Sequence, residues 1–288
     1  MLFRSGAEIL GVDLKVGLDD ETVRFLRTTF DDRGLLLFRD ADIDRACEYY
    51  VAALVRSDQA PPTREEAEAG ALAQGSFQIS NKEPTGAAPF GRLLFHCDGM
   101  WSQEPFDTIS LHASVVEPPS IPTDYASAVD AWATLPDDLR GRVEGLHAVQ
   151  VTGPEYIHER RRRRFEGELS QAKRDVSPEN VTPVVLRHPR TGRMLLYITQ
   201  GMTKGIRELS DDESEDLLDE LFAHLYAPER VYSHEWREGD LVVWDNFAVQ
   251  HGRPNVTLEG PARTLRKIGL PMAKDKATQQ VVSYQKVS

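Results

Sequence analysis

From Phe77 onward the chain is written in short apolar or alternating runs broken by Pro, Gly and Asn, as in Thr108-Ile109-Ser110-Leu111-His112, Met194-Leu195-Leu196-Tyr197-Ile198 and Asp240-Leu241-Val242-Val243-Trp244. Runs this short, bounded by turn residues, have the length of strands rather than helices. The texture therefore predicts a mainly β chain. Two helices interrupt it, one near 127–145 and one at 211–226. In the second, Ser210 and Glu213 form an S-x-x-E capping box and Leu217, Leu218, Leu221, Phe222 and Leu225 make one apolar face. An earlier helix over 19–33 opens with acids, stops at Gly34 and leads into Leu35-Leu36-Leu37-Phe38, which reads as a buried strand. Helices packed outside a β-rich core fit a jelly roll or similar antiparallel barrel.

With 288 residues, 40% of them apolar, the chain can bury a large core, and one domain over 1–288 is expected. Residues 57–90 begin polar, small and proline-bearing, and read as a surface insertion or mobile lid. The formal net charge of -12 repels phosphate backbones, which argues against nucleic acid as a partner. Arg160–Arg164 is a local exception, read as a solvated helix face or, second, as a basic patch for an anionic partner. Cys47 and Cys97 form no metal-like or disulfide framework, and no window has the apolar length of a signal peptide or membrane span. A soluble cytoplasmic protein is expected, with a symmetric homo-oligomer as the default state.

The sharpest local feature is Phe95-His96-Cys97-Asp98. On an extended strand, residues two apart share a face, so His96 and Asp98 would look into one pocket and Cys97 away from it. An imidazole and a carboxylate so placed can supply two ligands of a facial triad. The third candidate is His251, which follows the strand Asp240–Trp244 and the turn-prone Asp245-Asn246; Arg263 stands 12 residues further on. His112, His147, His188, His224 and His234 share neither spacing nor context and read as structural or exposed.

These segments together resemble the TauD/TfdA-like iron(II)/2-oxoglutarate oxygenases, the relatives of taurine dioxygenase and 2,4-dichlorophenoxyacetate dioxygenase. The resemblance runs through AEILGVDL, LLLFRD, FHCD, HPRTGRMLLY, ELSDDES and GDLVVWDNFAVQHGRPN, in order and over nearly the whole chain. It implies a double-stranded β-helix (jelly roll, cupin-like) core with peripheral helices. It further implies an enzyme using Fe(II), with 2-oxoglutarate and O₂ as co-substrates and a small molecule as substrate. Carried over residue by residue, it implies that His96, Asp98 and His251 bind iron, that Arg263 pairs with the distal carboxylate of 2-oxoglutarate, and that Thr123 contacts the same group. A guanidinium fork suits that carboxylate, and a hydroxyl can add one hydrogen bond.

The chain departs from the family where several members carry a second arginine four residues after the first: here stands Lys267, with Arg266 beside it. Lys is a point charge rather than a fork, which bears on the choice of anion. Met100 and Trp101, close after Asp98, are candidates for a substrate wall, with core packing as the plainer reading. The expected reaction is hydroxylation of an aliphatic C–H bond in a small anionic molecule with release of succinate and CO₂; desaturation, cyclisation and oxidative cleavage share its cofactor chemistry. Asp98 argues against a halogenase, which vacates that position. A non-catalytic barrel with a structural zinc is the alternative from another class, but zinc would want a fourth protein ligand and none stands at a suggestive spacing.

Overall fold

The computed structural model describes residues 2–3, 6–14, 18–56, 60–75, 77–165, 167–169 and 177–272. Two antiparallel sheets face each other and enclose the site. The larger runs in the order Leu2–Phe3, Gly6–Glu8, Leu35–Phe38, Leu241–Asp245, Phe106–Val116, Arg263–Pro271, Gln78–Ser80, and only its Gly6–Glu8/Leu35–Phe38 pair is parallel. The smaller has the order Val231–His234, Thr123–Ser127, Val249–Val256, Gly91–His96. A three-stranded sheet of Thr203–Ile206, His147–Gln150 and Asn180–Pro183 and a Val185–Arg187/Met194–Leu196 hairpin lie outside them. The expected β core with peripheral helices is what forms.

Strand alternation divides the apolar side chains into layers. Leu36 and Phe38 point outward with Leu241 and Val243, against the helices Asp20–Arg33 and Arg45–Val55. Leu35 and Leu37 point inward with Val242 and Trp244, toward Leu111, Tyr125 and Val249 between the sheets. The uninterrupted LLLF run is thus buried on both faces, as a central strand covered by helices must be. The first helix is set by local chemistry: Asp19 accepts from the Thr22 N–H at 2.7 Å, and Gly34 closes it at φ 73. A Cβ at Gly34 would also lie 2.8 Å from Val249, so glycine is required there twice over. Helix Asp211–Leu225, with the Ser210/Glu213 capping box in place, lays Leu217, Leu218, Leu221 and Phe222 over the smaller sheet's outer side.

Two sequence expectations are amended, the helix near 127–145 and the arginine run. The helix near 127–145 is two short helices, Ala128–Ala133 and Asp137–Val143, parted at Thr134–Pro136. Within 57–90, residues 57–59 and 76 lie outside the described residues. The rest holds the helix Arg64–Ala73, whose Gly70 packs on the Tyr49 ring with no room for a Cβ, and the strand Gln78–Ser80 on the sheet edge. The arginine run is neither a free patch nor merely solvated. Arg161 is 1% exposed and grips the equally buried Glu215 with two bonds of 3.1 and 2.7 Å, while Arg160 and Arg164 pair with Asp219. No described helix is long and apolar enough to cross a membrane.

Candidate active site

The strands Gly91–His96 and Val249–Val256 pair with His251 opposite His96, so two imidazoles are delivered to the same level of the barrel interior. Gly252 lets them come close, since a Cβ there would lie 3.1 Å from the Leu93 carbonyl. Asp98 does not sit on the strand as parity alone proposed: the strand ends at His96, and Asp98 stands in the following turn. Its position comes from Asn246, which accepts the Asp98 N–H at 3.0 Å and donates to the Asp98 and Phe106 carbonyls at 2.9 Å each. Asn246 is in turn fixed by Asp245, which accepts the Phe247 and Ala248 N–H groups and pairs with His188 at 2.9 Å and with Arg190. Thus the WDN turn, legible as a turn, is a clip on the Asp98 loop.

One ligand-type atom from each of His96, Asp98 and His251 lies within 4.8 Å of the other two. The two carboxylate oxygens are each 3.8 Å from one Nε2, and the imidazole centroids are 4.2 Å apart. That is too far for hydrogen bonds and leaves room for an ion among them. Nδ1 of His96 is 2.8 Å from the Leu94 carbonyl, so it carries the proton and Nε2 turns its lone pair inward. Burial lowers the pKa of both imidazoles, further at His251, where His96 adds to it. Burial by itself would raise Asp98, but Lys267 and the two imidazoles outweigh it and hold the carboxyl well below the usual range. Two neutral imidazoles and one carboxylate are the donor set that a ferrous ion with open positions takes.

A cavity of about 210 Å³ opens on this cluster. Phe77, Ile79, Leu93, Leu111 and Trp244 contribute apolar walls, and Thr123, Arg253, Arg263 and Lys267 the polar ones. Arg263 is 4% exposed; its Nη2 donates to Thr123 Oγ1 at 2.9 Å and its Nε to the Ile121 carbonyl at 3.2 Å. Among the described residues no carboxylate is within ion-pair distance of it. Burial, with the Arg253 charge second, brings its pKa down to about 9, which leaves it protonated at neutral pH. Thr123 also accepts from Trp236 Nε1 at 2.9 Å, so with both lone pairs engaged its hydroxyl meets a ligand only as a donor. A guanidinium and a hydroxyl with no acid to serve are what a dicarboxylate's far end requires.

The other expected contacts separate. Lys267 reaches Asp98 at 2.6 Å and lies 5.6 Å from the Phe77 ring. Arg266, one residue earlier, turns to the opposite face and pairs at 2.6 Å with the fully buried Glu48. Met100 is wholly buried against Cys97 and Tyr197, and neither it nor Trp101 lines the cavity. Sequence reading assigned no role to Arg253, which is 5% exposed on the cavity wall; the signal was present, since it follows His251 by two residues on the same strand. It likewise missed a brace on the outer face. Phe95 and Gln250, each the residue before a site histidine, are joined by Tyr226, which stacks on Phe95 at 4.2 Å and donates to Gln250. Arg161 donates to the Gln200 and Thr203 carbonyls, and between these Gly201 N–H meets the Phe95 carbonyl at 2.9 Å.

Fold and cluster together define a β-rich protein with peripheral helices and an interior His/Asp/His cluster able to hold one metal ion. A model of the Taurine catabolism dioxygenase TauD, TfdA family matches residues 2–268, and the chain belongs to that family. It is 30% identical to the alpha-ketoglutarate-dependent 2,4-dichlorophenoxyacetate dioxygenase of Cupriavidus pinatubonensis, over 87% of this chain and 88% of that one. It is also 30% identical to pentalenolactone F synthase of Streptomyces avermitilis, over 86% and 85%. Among solved structures, AAD-2 in complex with Mn(II) and N-oxalylglycine superposes with a TM-score of 0.73 at 24% identity, over 94% of this chain and 95% of that one, a likeness of fold. The chain is accordingly a 2-oxoglutarate-dependent non-haem iron dioxygenase, with Fe(II) as cofactor and 2-oxoglutarate and O₂ as co-substrates.

Proposed function

We propose that His96, Asp98 and His251 hold the iron, that Arg263 and Thr123 hold the distal carboxylate of 2-oxoglutarate, and that the enzyme hydroxylates an aliphatic C–H bond of a small organic acid. The observation that carries this reading is one cavity onto which both a His/Asp/His cluster and an acid-free buried guanidinium open. Bound there, ferrous iron supplies the activation of O₂ that couples loss of CO₂ from 2-oxoglutarate, leaving succinate, to oxidation of the substrate.

The chain's own groups do the rest. The imidazoles offer Nε2 lone pairs without first losing a proton, and Lys267 holds Asp98 ionised and oriented. Phe77, Ile79, Leu93 and Leu111 keep bulk water from the reacting bond and offer an apolar body its contact. The same walls, and the likeness to a synthase, support a second outcome on the same centre: desaturation or cyclisation of a biosynthetic intermediate. Product masses separate them, plus one oxygen for hydroxylation and minus two hydrogens for desaturation.

The test is anaerobic loading with iron(II) and 2-oxoglutarate, expected to give a weak visible charge-transfer band that Asp98→Ala abolishes without loss of fold. Full succinate release by the folded Asp98→Ala protein would remove Asp98 from the metal.

A further inference from the structure

Among the described residues three cations line the cavity, Arg253, Arg263 and Lys267, against a single carboxylate, Asp98. The lining side chains thus hold two more cations than carboxylates. A ferrous ion brings two more positive charges, and the two carboxylates of 2-oxoglutarate cancel only as many. The loaded centre therefore still lacks negative charge, in a chamber where an uncompensated ion is expensive.

The partners already made say where that charge is wanted. Arg266 is turned away onto Glu48, Lys267 has Asp98, and Arg263 has Thr123 and the proposed co-substrate site. Arg253 has no carboxylate within ion-pair distance among the described residues. Its Nη1 donates to the Ala88 carbonyl at 3.0 Å and its Nη2 to the Gly91 carbonyl at 2.9 Å, while Nε is buried with no partner. A neutral amide could bridge those carbonyls; a guanidinium leaves a full charge on the cavity wall. Its strand position, two residues from His251, puts it on the same inward face as that ligand.

We infer that Arg253 is a specificity-determining residue which binds the acid group of the primary substrate, a carboxylate or sulfate carried on an apolar body, and ties that group to the 88–91 wall. This rests on the anionic-substrate reading above and names the residue that enforces it. Lys267 then serves Asp98 rather than the substrate.

The experiment uses the whole protein loaded with Mn(II) and N-oxalylglycine, so that the metal and co-substrate positions are filled. Aryloxyacetates, aliphatic carboxylates and alkyl sulfates are titrated in by calorimetry, each beside a neutral methyl ester or alcohol of the same body. We expect the wild type to prefer at least one acid over its neutral counterpart by about tenfold or more, and Arg253→Gln to bring that ratio near one with the affinity for N-oxalylglycine kept. A preference that survives in Arg253→Gln overturns the assignment and leaves the anionic reading standing. No preference in the wild type, or no binding by any acid, sinks both. Weakened N-oxalylglycine binding with an intact acid preference would move Arg253 to the co-substrate and also overturn it. If Arg253→Gln does not fold, Arg253→Lys must weaken acids more than neutral analogues; equal weakening counts against the proposal.

Discussion

Arginine is used in opposite ways in two regions of this molecule. In the segment 160–164, Arg160, Arg161, Arg163 and Arg164 each meet a carboxylate, and the buried Arg161–Glu215 pair satisfies its remaining donors on backbone carbonyls. In the cavity, Arg253 and Arg263 are nearly as buried and meet none among the described residues. Burying a guanidinium without an acid is destabilising, so such groups persist where a ligand completes them. The matched arginines serve the fold, and the unmatched ones are the molecule's contribution to binding.

Removing a partner at the matched end should cost most. Glu215→Gln strands the Arg161 charge and should lower unfolding free energy by about 3–5 kcal/mol in urea melts, whereas replacing both residues by apolar ones of similar size should be close to neutral. At the unmatched end the sign reverses. Arg263→Met should weaken 2-oxoglutarate by about 2–5 kcal/mol, read as a rise of about 30-fold or more in its KM, while leaving the ligand-free protein as stable or more so. Equal destabilisation by both variants would erase the distinction.

A smaller effect probes what connects the regions. Tyr226→Phe keeps the stacking on Phe95 but removes the phenol that joins Gln250 to the Gln200 N–H, and should weaken Mn(II) or Fe(II) binding by about tenfold in a metal titration with the melting temperature little changed.

Asp107 is intermediate: it has Arg56 at 3.1 Å, yet burial first and the Asp245 charge among the further causes push its pKa up to about 7. A carboxyl whose folded pKa is raised binds its proton more tightly in the native state, so it lowers stability progressively as pH climbs from about 4 to 7. Asp107→Asn should therefore gain on the wild type across that window, by about 1.4 kcal/mol per pH unit, and hold a constant difference above it. A flat difference between pH 4 and 8 would refute the shift.

Much of the site was legible because its signals are local. His96 and Asp98 are separated by one residue, and Asp240–Asn246 announces a strand and turn before His251. Opening acids and Gly34 located the first helix, and the Ser210/Glu213 capping box the one at 211–225, because such end signals act within one turn. The break at Thr134–Pro136 was hidden inside a run read as one helix. Side-chain direction was harder: Arg266 and Lys267 are adjacent cations in sequence, yet strand parity sends one to Glu48 under the Arg45–Val55 helix and the other to Asp98 in the cavity. Either register would have suited the sequence alone.

The sequence by itself determined the mainly β texture, the capped helices, the donor types of the cluster and the overall negative charge, since each follows from neighbours along the chain or from composition. Tertiary structure alone decided that Asn246 would clip the Asp98 loop, that Glu215 would neutralise Arg161, and that Arg253 and Arg263 would find no acid among the described residues around one cavity. Those outcomes depend on pairing residues 54 to 148 positions apart, or on failing to pair them. Whether a buried charge is structural or available to a ligand is decided by which groups the fold brings within about 4 Å of it.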